Sequence, residues 1–320
     1  MVDELYIIMY NFSMYYNSLN ENLKARFGQK VYKLALNGGM TCPNRDGTLG
    51  RRGCIFCSGG SGAFAAHGAT VTEQIEAAKA RVAGKIKNGK YIAYFQSYTN
   101  TYADTTYLES LFCEAIEHPD IAALSVATRP DCLEDEKVQL LSRLSEKKPV
   151  TVELGLQTIH EKTARYIRRG YPLPVFDNAV KRLKRAGIET VAHVILFLPG
   201  ESEDMMLETV KHVAETGADG IKLQLLHVLA GTDLEKDYAA GKFSLPDMER
   251  YIQTLEKCIR ILPENIVIHR LTGDGAKREL IAPLWTADKK RVLNAINSAF
   301  KRENVIQGSE CVQNIHDFFV

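Results

Sequence analysis

The 320-residue sequence predicts an α/β fold of parallel strands joined by helical crossovers. Three observations carry this. Short β-rich runs alternate with longer stretches about six times. Those stretches show helical periodicity. No internal repeat, low-complexity tract or Pro/Gly/Ser-rich linker divides the chain. With right-handed crossovers the alternation leaves either a doubly wound open sheet or a complete or partial barrel, and both place ligands at strand C-termini.

In chain order the strands are KVYKLAL (30–36), YIAYFQS (91–97), IAALSVA (121–127), PVTVELGL (149–156), ETVAHVILF (189–197) and DGIKLQLLHV (219–228). VTEQIEAAKARVAGKIK (71–87) places Val71, Ile75, Ala78, Val82 and Ile86 near one helical face, and TTYLESLFCEAIEH (105–118) repeats the pattern with Leu108, Leu111, Phe112, Ala115 and Ile116. LEDEKVQLLSRL, LPVFDNAVKRLKRAG, SEDMMLETVKHVAETG and LPDMERYIQTLEKCIRIL continue the series. Gly187 and Gly217 stand where helices stop. After about residue 264 the pattern changes to ENIVIHRLTGDG, LIAPLW and a helix-like TADKKRVLNAINSAFKREN. The division read from this is an N-terminal extension (1–29), a core barrel (30–262) and a C-terminal α/β cap (263–320).

Composition narrows the class. Apolar residues make up 45% and charged residues 25%, the balance of a globular chain rather than a disordered one. Forty Lys and Arg against 39 Asp and Glu leave a net charge of +1, so no global field attracts a polyanion. Apolar runs such as Val194–Leu198 fall far short of the ~20 residues of a membrane span. The N-terminus lacks the basic region of a signal peptide, so the cytoplasm is the expected compartment.

The strongest chemical signal is CPNRDGTLGRRGCIFC. Cys42, Cys54 and Cys57 form C-x11-C-x2-C directly after the first strand, and Gly47, Gly50 and Gly53 let the loop wrap so that the three thiols share one centre. Structural zinc usually takes four protein ligands. The best fourth candidate, His67, stands alone in a Gly/Ala-rich loop. Three cysteines can instead hold three irons of a [4Fe-4S] cluster and leave one iron open. The spacing favours iron–sulfur over a zinc knuckle without removing the latter. Cys113 and Cys258 fall on amphipathic helices and read as packing.

The segment FGQKVYKLALNGGMTCPNRDGTLGRRGCIFCSGGSGAFA resembles the elongator-like branch of the radical S-adenosylmethionine (radical SAM) enzymes, in its compact bacterial form. The likeness continues through YFQSYTNTYA, ATRPDCL, VELGLQT, HVILFLPGE, KLQLLHVLAGTDL and IAPLW, in family order over nearly the whole chain. It implies a partial (β/α)6 TIM-like barrel, with a [4Fe-4S] cluster held by Cys42, Cys54 and Cys57. SAM, bound to the open iron, would be cleaved to a 5′-deoxyadenosyl radical.

The resemblance also implies roles for single residues. Phe56 would sit against adenine. Gln96, Ser97 and Thr99 would hold the methionyl end of SAM, while Tyr98, Asn100 and Tyr102 would face substrate. Gln157 falls at a ribose-contacting position of oxygen-independent coproporphyrinogen oxidase, Arg169 on that family's arginine near SAM, and His193 where that family has a ribose-binding carboxylate. Phe197 replaces the usual glycine of an ILGLPGE pattern and is expected to reshape the adenine pocket. Lys222 and His227 read as substrate contacts, on opposite phases of the sixth strand if it stays regular, with a buried salt bridge as the alternative for Lys222. Glu153 reads as structural, and Arg129 as a carboxylate partner or helix cap.

For function, the resemblance implies tRNA wobble-uridine modification, with carboxymethylaminomethyl at uridine C5 remodelled toward aminomethyl. Its partners would be tRNA, an electron donor such as flavodoxin or ferredoxin, and a following tRNA methyltransferase. The chain has no room for the acetyltransferase domain of the elongator catalytic subunit, so acetyl transfer is not expected. A small-metabolite radical enzyme and a zinc-stabilised RNA-binding module are the alternatives. Basic clusters at Arg165, Arg168 and Arg169, at Lys181, Arg182, Lys184 and Arg185, and at Lys289, Lys290 and Arg291 are candidate phosphate contacts or solvated faces.

Overall fold

The computed structural model describes residues 15–58, 65–66, 68–85, 89–273, 275 and 277–311. Seven parallel strands form one sheet: β1 (Val31–Leu36), β2 (Lys90–Phe95), β3 (Ile121–Thr128), β4 (Val150–Gln157), β5 (Glu189–Leu196), β6 (Gly220–Leu225) and β8 (Val267–Arg270). Their spatial order follows the sequence without reversal. A doubly wound sheet reverses its order at a switch point; a sequential sheet with right-handed crossovers carries its helices on one face and curls into a partial barrel. That settles the choice left open above. The seventh strand comes from the ENIVIHR stretch and pairs with β6, Ile221 opposite Ile268.

Each strand segregates its side chains with period two. On one face Leu34, Phe95, Val126, Leu154, Val194 and Leu223 are buried in the main core. They meet helix residues such as Ile75 of the helix Val71–Val82, Phe112 of Thr105–Glu117, Leu141 of Asp135–Ser145, Phe176 of Leu173–Arg185 and Val210 of Glu203–Thr216. Burial of each such side chain is worth about 1.5–3 kcal/mol. The other face carries Lys33, Tyr94, Ser125, Glu153, His193 and Lys222, which meet one another in the hydrogen bonds described below.

The bottom of this inner face is plugged. A helix, Leu19–Phe27, is capped by the Ser18 hydroxyl and ends on Gly28 in the left-handed region. Its Leu23 packs with Val31, Ile92 and Ala123, while Ser18 bridges to Ile268 on the last strand. The top is partly roofed by a short antiparallel pair, β7 (Val228–Leu229) with β9 (Leu280–Ala282). No described helix is long and apolar enough to cross a membrane.

Candidate active site

The cysteine loop is organised by its own backbone. Cys42 precedes a single helical turn, Pro43–Asp46, and its carbonyl accepts from the Arg45 amide at 2.8 Å. The chain then folds back: Leu49 N–H donates to the Pro43 carbonyl at 2.8 Å, Gly53 N–H to the Asn44 carbonyl at 2.7 Å, and Cys57 N–H to the Cys54 carbonyl at 3.0 Å. Gly53 has φ +72°, and a Cβ there would lie 2.9 Å from the Arg45 guanidinium, which itself donates to the Cys57 carbonyl at 2.6 Å. A side chain there would be strained by the left-handed backbone and would push the guanidinium aside. Buried Asn44 donates to the Arg168 carbonyl at 2.7 Å and to Cys54 Sγ at 3.4 Å, fastening the loop to the segment after the helix Glu161–Tyr166.

Cys42, Cys54 and Cys57 line one cavity of about 370 Å³ at the C-terminal ends of the strands. Burial pushes the Cys54 thiol up to about 11, so its thiolate needs a bound cation to form near neutrality. Among the described residues, the three-residue group of His, Cys, Asp or Glu whose ligand atoms all approach within 4.8 Å of one another is Glu76, His118 and Asp120, not the three cysteines. Zinc–sulfur bonds of about 2.3 Å would bring three sulfurs to within about 4 Å. Three soft thiols lining one cavity form a donor set that suits an iron–sulfur cluster. His67 lies outside the described residues.

The cavity gathers most of the residues singled out from the sequence. Phe56 lines it beside the cysteines, as do Gln96, Tyr98 and Thr99 after β2, Gln157 at the end of β4, and His193, Lys222 and His227. Tyr98 and Gln157 have φ +62° and +68°, strained for residues with side chains and held at two strand ends. Gln157 Oε1 is buried with no partner, an acceptor open to a ligand hydroxyl or amine. His227 reaches the cavity because β6 ends at Leu225, so strand phase does not govern it; Gly273 and Gly275 leave room for its ring.

Three of the singled-out residues lie off the cavity wall, and a fourth, on the wall, is engaged within the fold. Ser97 is buried off the cavity wall. Asn100 also lies away from it, where its amide donates to the Ala127 carbonyl at 2.8 Å and fastens the β2 loop to β3. Tyr102 stands outside, its hydroxyl 2.9 Å from that of Thr48. Arg169 lines the cavity, but its N–H groups go to the carbonyls of Tyr171 (2.9 Å), Leu156 (3.3 Å) and Thr158 (2.5 Å) and to Glu161 (3.0 Å). It holds the chain after β4 in place.

At the cavity floor lies Glu153, fully buried. Its Oε1 accepts from Lys33 at 2.5 Å and Ser125 at 3.0 Å; its Oε2 accepts from Tyr94 at 2.8 Å, His193 Nε2 at 2.7 Å and Lys222. The adjoining ammoniums hold its carboxyl well below the usual range despite burial. Burial and Lys222 push His193 down to about 4, so its ring is neutral, Nε2–H donates to Glu153, and Nδ1 is left as an acceptor. Burial likewise lowers Lys222 to about 7.

The sequence reading missed Tyr171, whose ring lies 5.0 Å from the Arg129 guanidinium and 4.9 Å from that of Arg169. Arg129 is a bidentate partner of Asp131, at 2.9 and 2.7 Å. Arg270 and Glu279 also line the cavity; both come from the part of the chain read as a cap. An alternating polar residue in a buried strand was the available signal for Tyr94, and nothing comparable marked Tyr171. Two basic clusters are partly engaged within the fold, through Arg168 with Asp233 (2.7 Å) and Arg182 with Asp135 (2.5 Å).

Residues 47–213 match the model of the Radical SAM superfamily, and residues 218–302 that of the Radical_SAM C-terminal domain. The chain belongs to the radical SAM superfamily. Radical SAM enzymes use a [4Fe-4S] cluster and SAM. The chain is 43% identical to YtqA of Bacillus subtilis (strain 168) over 92% of each protein. It is 26% identical to the tRNA uridine(34) acetyltransferase of Methanocaldococcus jannaschii over 50% of this chain and 30% of that one. Among solved structures, Elp3 of Methanocaldococcus infernus with an N-terminal deletion superposes with a TM-score of 0.67 at 18% identity, covering 87% of this chain and 64% of that one. These place the chain in the elongator-like branch, with the partial barrel expected from the sequence.

Proposed function

We propose that this radical SAM enzyme modifies the wobble uridine of tRNA, remodelling a carboxymethylaminomethyl group at uridine C5 toward aminomethyl. The observation that carries the reading is the cavity itself: three cysteines at its mouth and a polar, charged floor line one open cleft. The likeness to a tRNA uridine(34) acetyltransferase over half the chain supports tRNA as the substrate class.

In this reading Cys42, Cys54 and Cys57 hold the cluster. A cluster held there would supply the one-electron reduction by which SAM is cleaved. The protein's task is then to position and shield. Phe56 offers a flat apolar face for adenine. Gln96 and Thr99 hold the methionyl end, while Gln157 Oε1 and the lone pair of His193 Nδ1 accept from ribose hydroxyls. Tyr98, Lys222 and His227 contact substrate. The plugged bottom and the roof of β7 and β9 keep water and oxygen from a carbon radical. An electron donor of the flavodoxin or ferredoxin type and a following tRNA methyltransferase complete the proposed partners.

The test is anaerobic reconstitution with iron and sulfide, then quantification of 5′-deoxyadenosine with and without tRNA from cells lacking the enzyme. Product that rises with that tRNA and vanishes in Cys54→Ala is the expected result. Product indifferent to tRNA would replace the tRNA reading with a small-metabolite substrate. Stoichiometric zinc without labile sulfide would overturn the radical chemistry.

A further inference from the structure

We propose that the cavity floor is a recognition subsite for a carboxylate on the substrate, docked against the Lys222 ammonium. The inference rests on the tRNA reading above and adds which part of the substrate is recognised and by what.

The charges around Glu153 do not balance. Lys33 and Lys222 both contact Glu153, so one carboxylate faces two ammoniums. Lys222 is only 3% exposed, and solvent does little to offset its charge. Glu153 has no capacity left, because Lys33, Ser125, Tyr94, His193 and Lys222 supply five donors to about four lone-pair sites. Lys222 does have capacity left. In its charged form, which an arriving carboxylate favours against the burial that lowers it to about 7, Lys222 has three N–H donors, of which Glu153 takes one and the Tyr94 hydroxyl another at 3.0 Å. Its side chain lines the cavity, and Arg270, on the neighbouring strand opposite Lys222, adds a guanidinium to the same wall.

A closed structural ion pair needs one cation for one anion. A second cation, at a cavity wall, with a spare donor, is an arrangement completed by an anion that arrives with a ligand. With Arg270 the floor carries more positive than negative charge, an excess that an anionic group on the substrate offsets. A backbone phosphodiester is flanked by two riboses and does not reach a floor set between strands, whereas a terminal carboxylate on a slender side chain does. The carboxymethylaminomethyl group ends in such a carboxylate.

The holoenzyme with SAM, kept anaerobic, is titrated with two synthetic anticodon stem-loops, one carrying 5-carboxymethylaminomethyluridine and the other its neutral carboxamide. The acid should bind at least about tenfold more tightly, the size of a hydrogen bond to a charged group. Lys222→Gln should erase this preference and Lys222→Arg retain it. Lys33→Gln, which reduces that excess from a position off the cavity wall, should weaken it. Equal affinity for acid and amide in the wild-type enzyme, with tRNA still raising 5′-deoxyadenosine, overturns the subsite and leaves the tRNA reading intact. A preference that survives Lys222→Gln also overturns it. If neither stem-loop binds and tRNA does not affect turnover, the tRNA reading fails and the carboxylate assignment falls with it.

Discussion

The two ends of the cavity are built by opposite means. The cysteine loop at the mouth is a local object, sixteen consecutive residues (42–57) folded on themselves by backbone hydrogen bonds and one buried asparagine. The floor is non-local: Lys33, Tyr94, Ser125, Glu153, His193 and Lys222 come from six different strands and meet only because the sheet is sequential and curled. A local object tolerates loss of one contact by adjusting nearby. A network sharing one carboxylate does not, because every member loses the same partner.

The sharpest way to break this contrast is Glu153→Ala. It strands two ammoniums, one of them buried, and should cost about 3–5 kcal/mol in chemical denaturation. A cost under about 1 kcal/mol would show that the floor is not a network. Acid titration gives the next largest effect. His193 is held at about 4 in the fold against 6.5 when unfolded, so the unfolded chain binds a proton that the folded one refuses between those values. Stability therefore falls as pH drops from about 6.5 toward 4. His193→Gln keeps a donor for Glu153 and should remove about 2–3 kcal/mol of that fall. His269, also pushed well below its ordinary value by burial, keeps its share, and Glu153 contributes only below its unfolded value of about 4.5. An unchanged acid limb in the variant would mean that His193 is protonated in the fold.

At the mouth the expected effects are smaller in stability and larger in cofactor retention. Asn44→Ala removes the bonds to the Arg168 carbonyl and to Cys54 Sγ and should cost about 1–3 kcal/mol. Iron retention should weaken by about 10–100-fold, the usual effect of a residue supporting a metal ligand. Full stability with lost iron, or the reverse, would separate loop folding from cluster holding.

Legibility in the sequence follows the same division. That Cys42, Cys54 and Cys57 share one cavity could be read from spacing because the loop is short and its glycines announce the turns. The strands could be read from alternation, and all six came out within a few residues of their observed limits, apart from Val228, which stands in β7. The floor could be read only in part. Glu153 looked structural because nothing in VELGLQT shows that two lysines, 120 residues before and 69 after, will reach it. Ser97, Asn100 and Tyr102 shared a polar run with Gln96 and Thr99, yet a loop leaving a strand turns successive side chains in directions that no short-range pattern records. Val267–Arg270 was hidden by its brevity, and its place in the sheet depends on the edge that β6 leaves open.

Phe197 tests the division on the smallest scale. A bulky ring where related sequences carry glycine suggested a reshaped adenine pocket. Instead the ring packs outward against Tyr251, 6.1 Å between centroids, and does not line the cavity. The glycine-like feature is retained in the backbone, where φ is +63°. Phe197→Gly relieves that conformation but loses the ring; Phe197→Ala loses the ring and keeps the strain. Glycine should therefore be the more stable of the two by about 1 kcal/mol. Both variants should cleave SAM within about twofold of wild type, since neither touches the cavity wall. Equal stability of the two would remove the left-handed backbone from the account, and a large loss of SAM cleavage in both would return the ring to the active site.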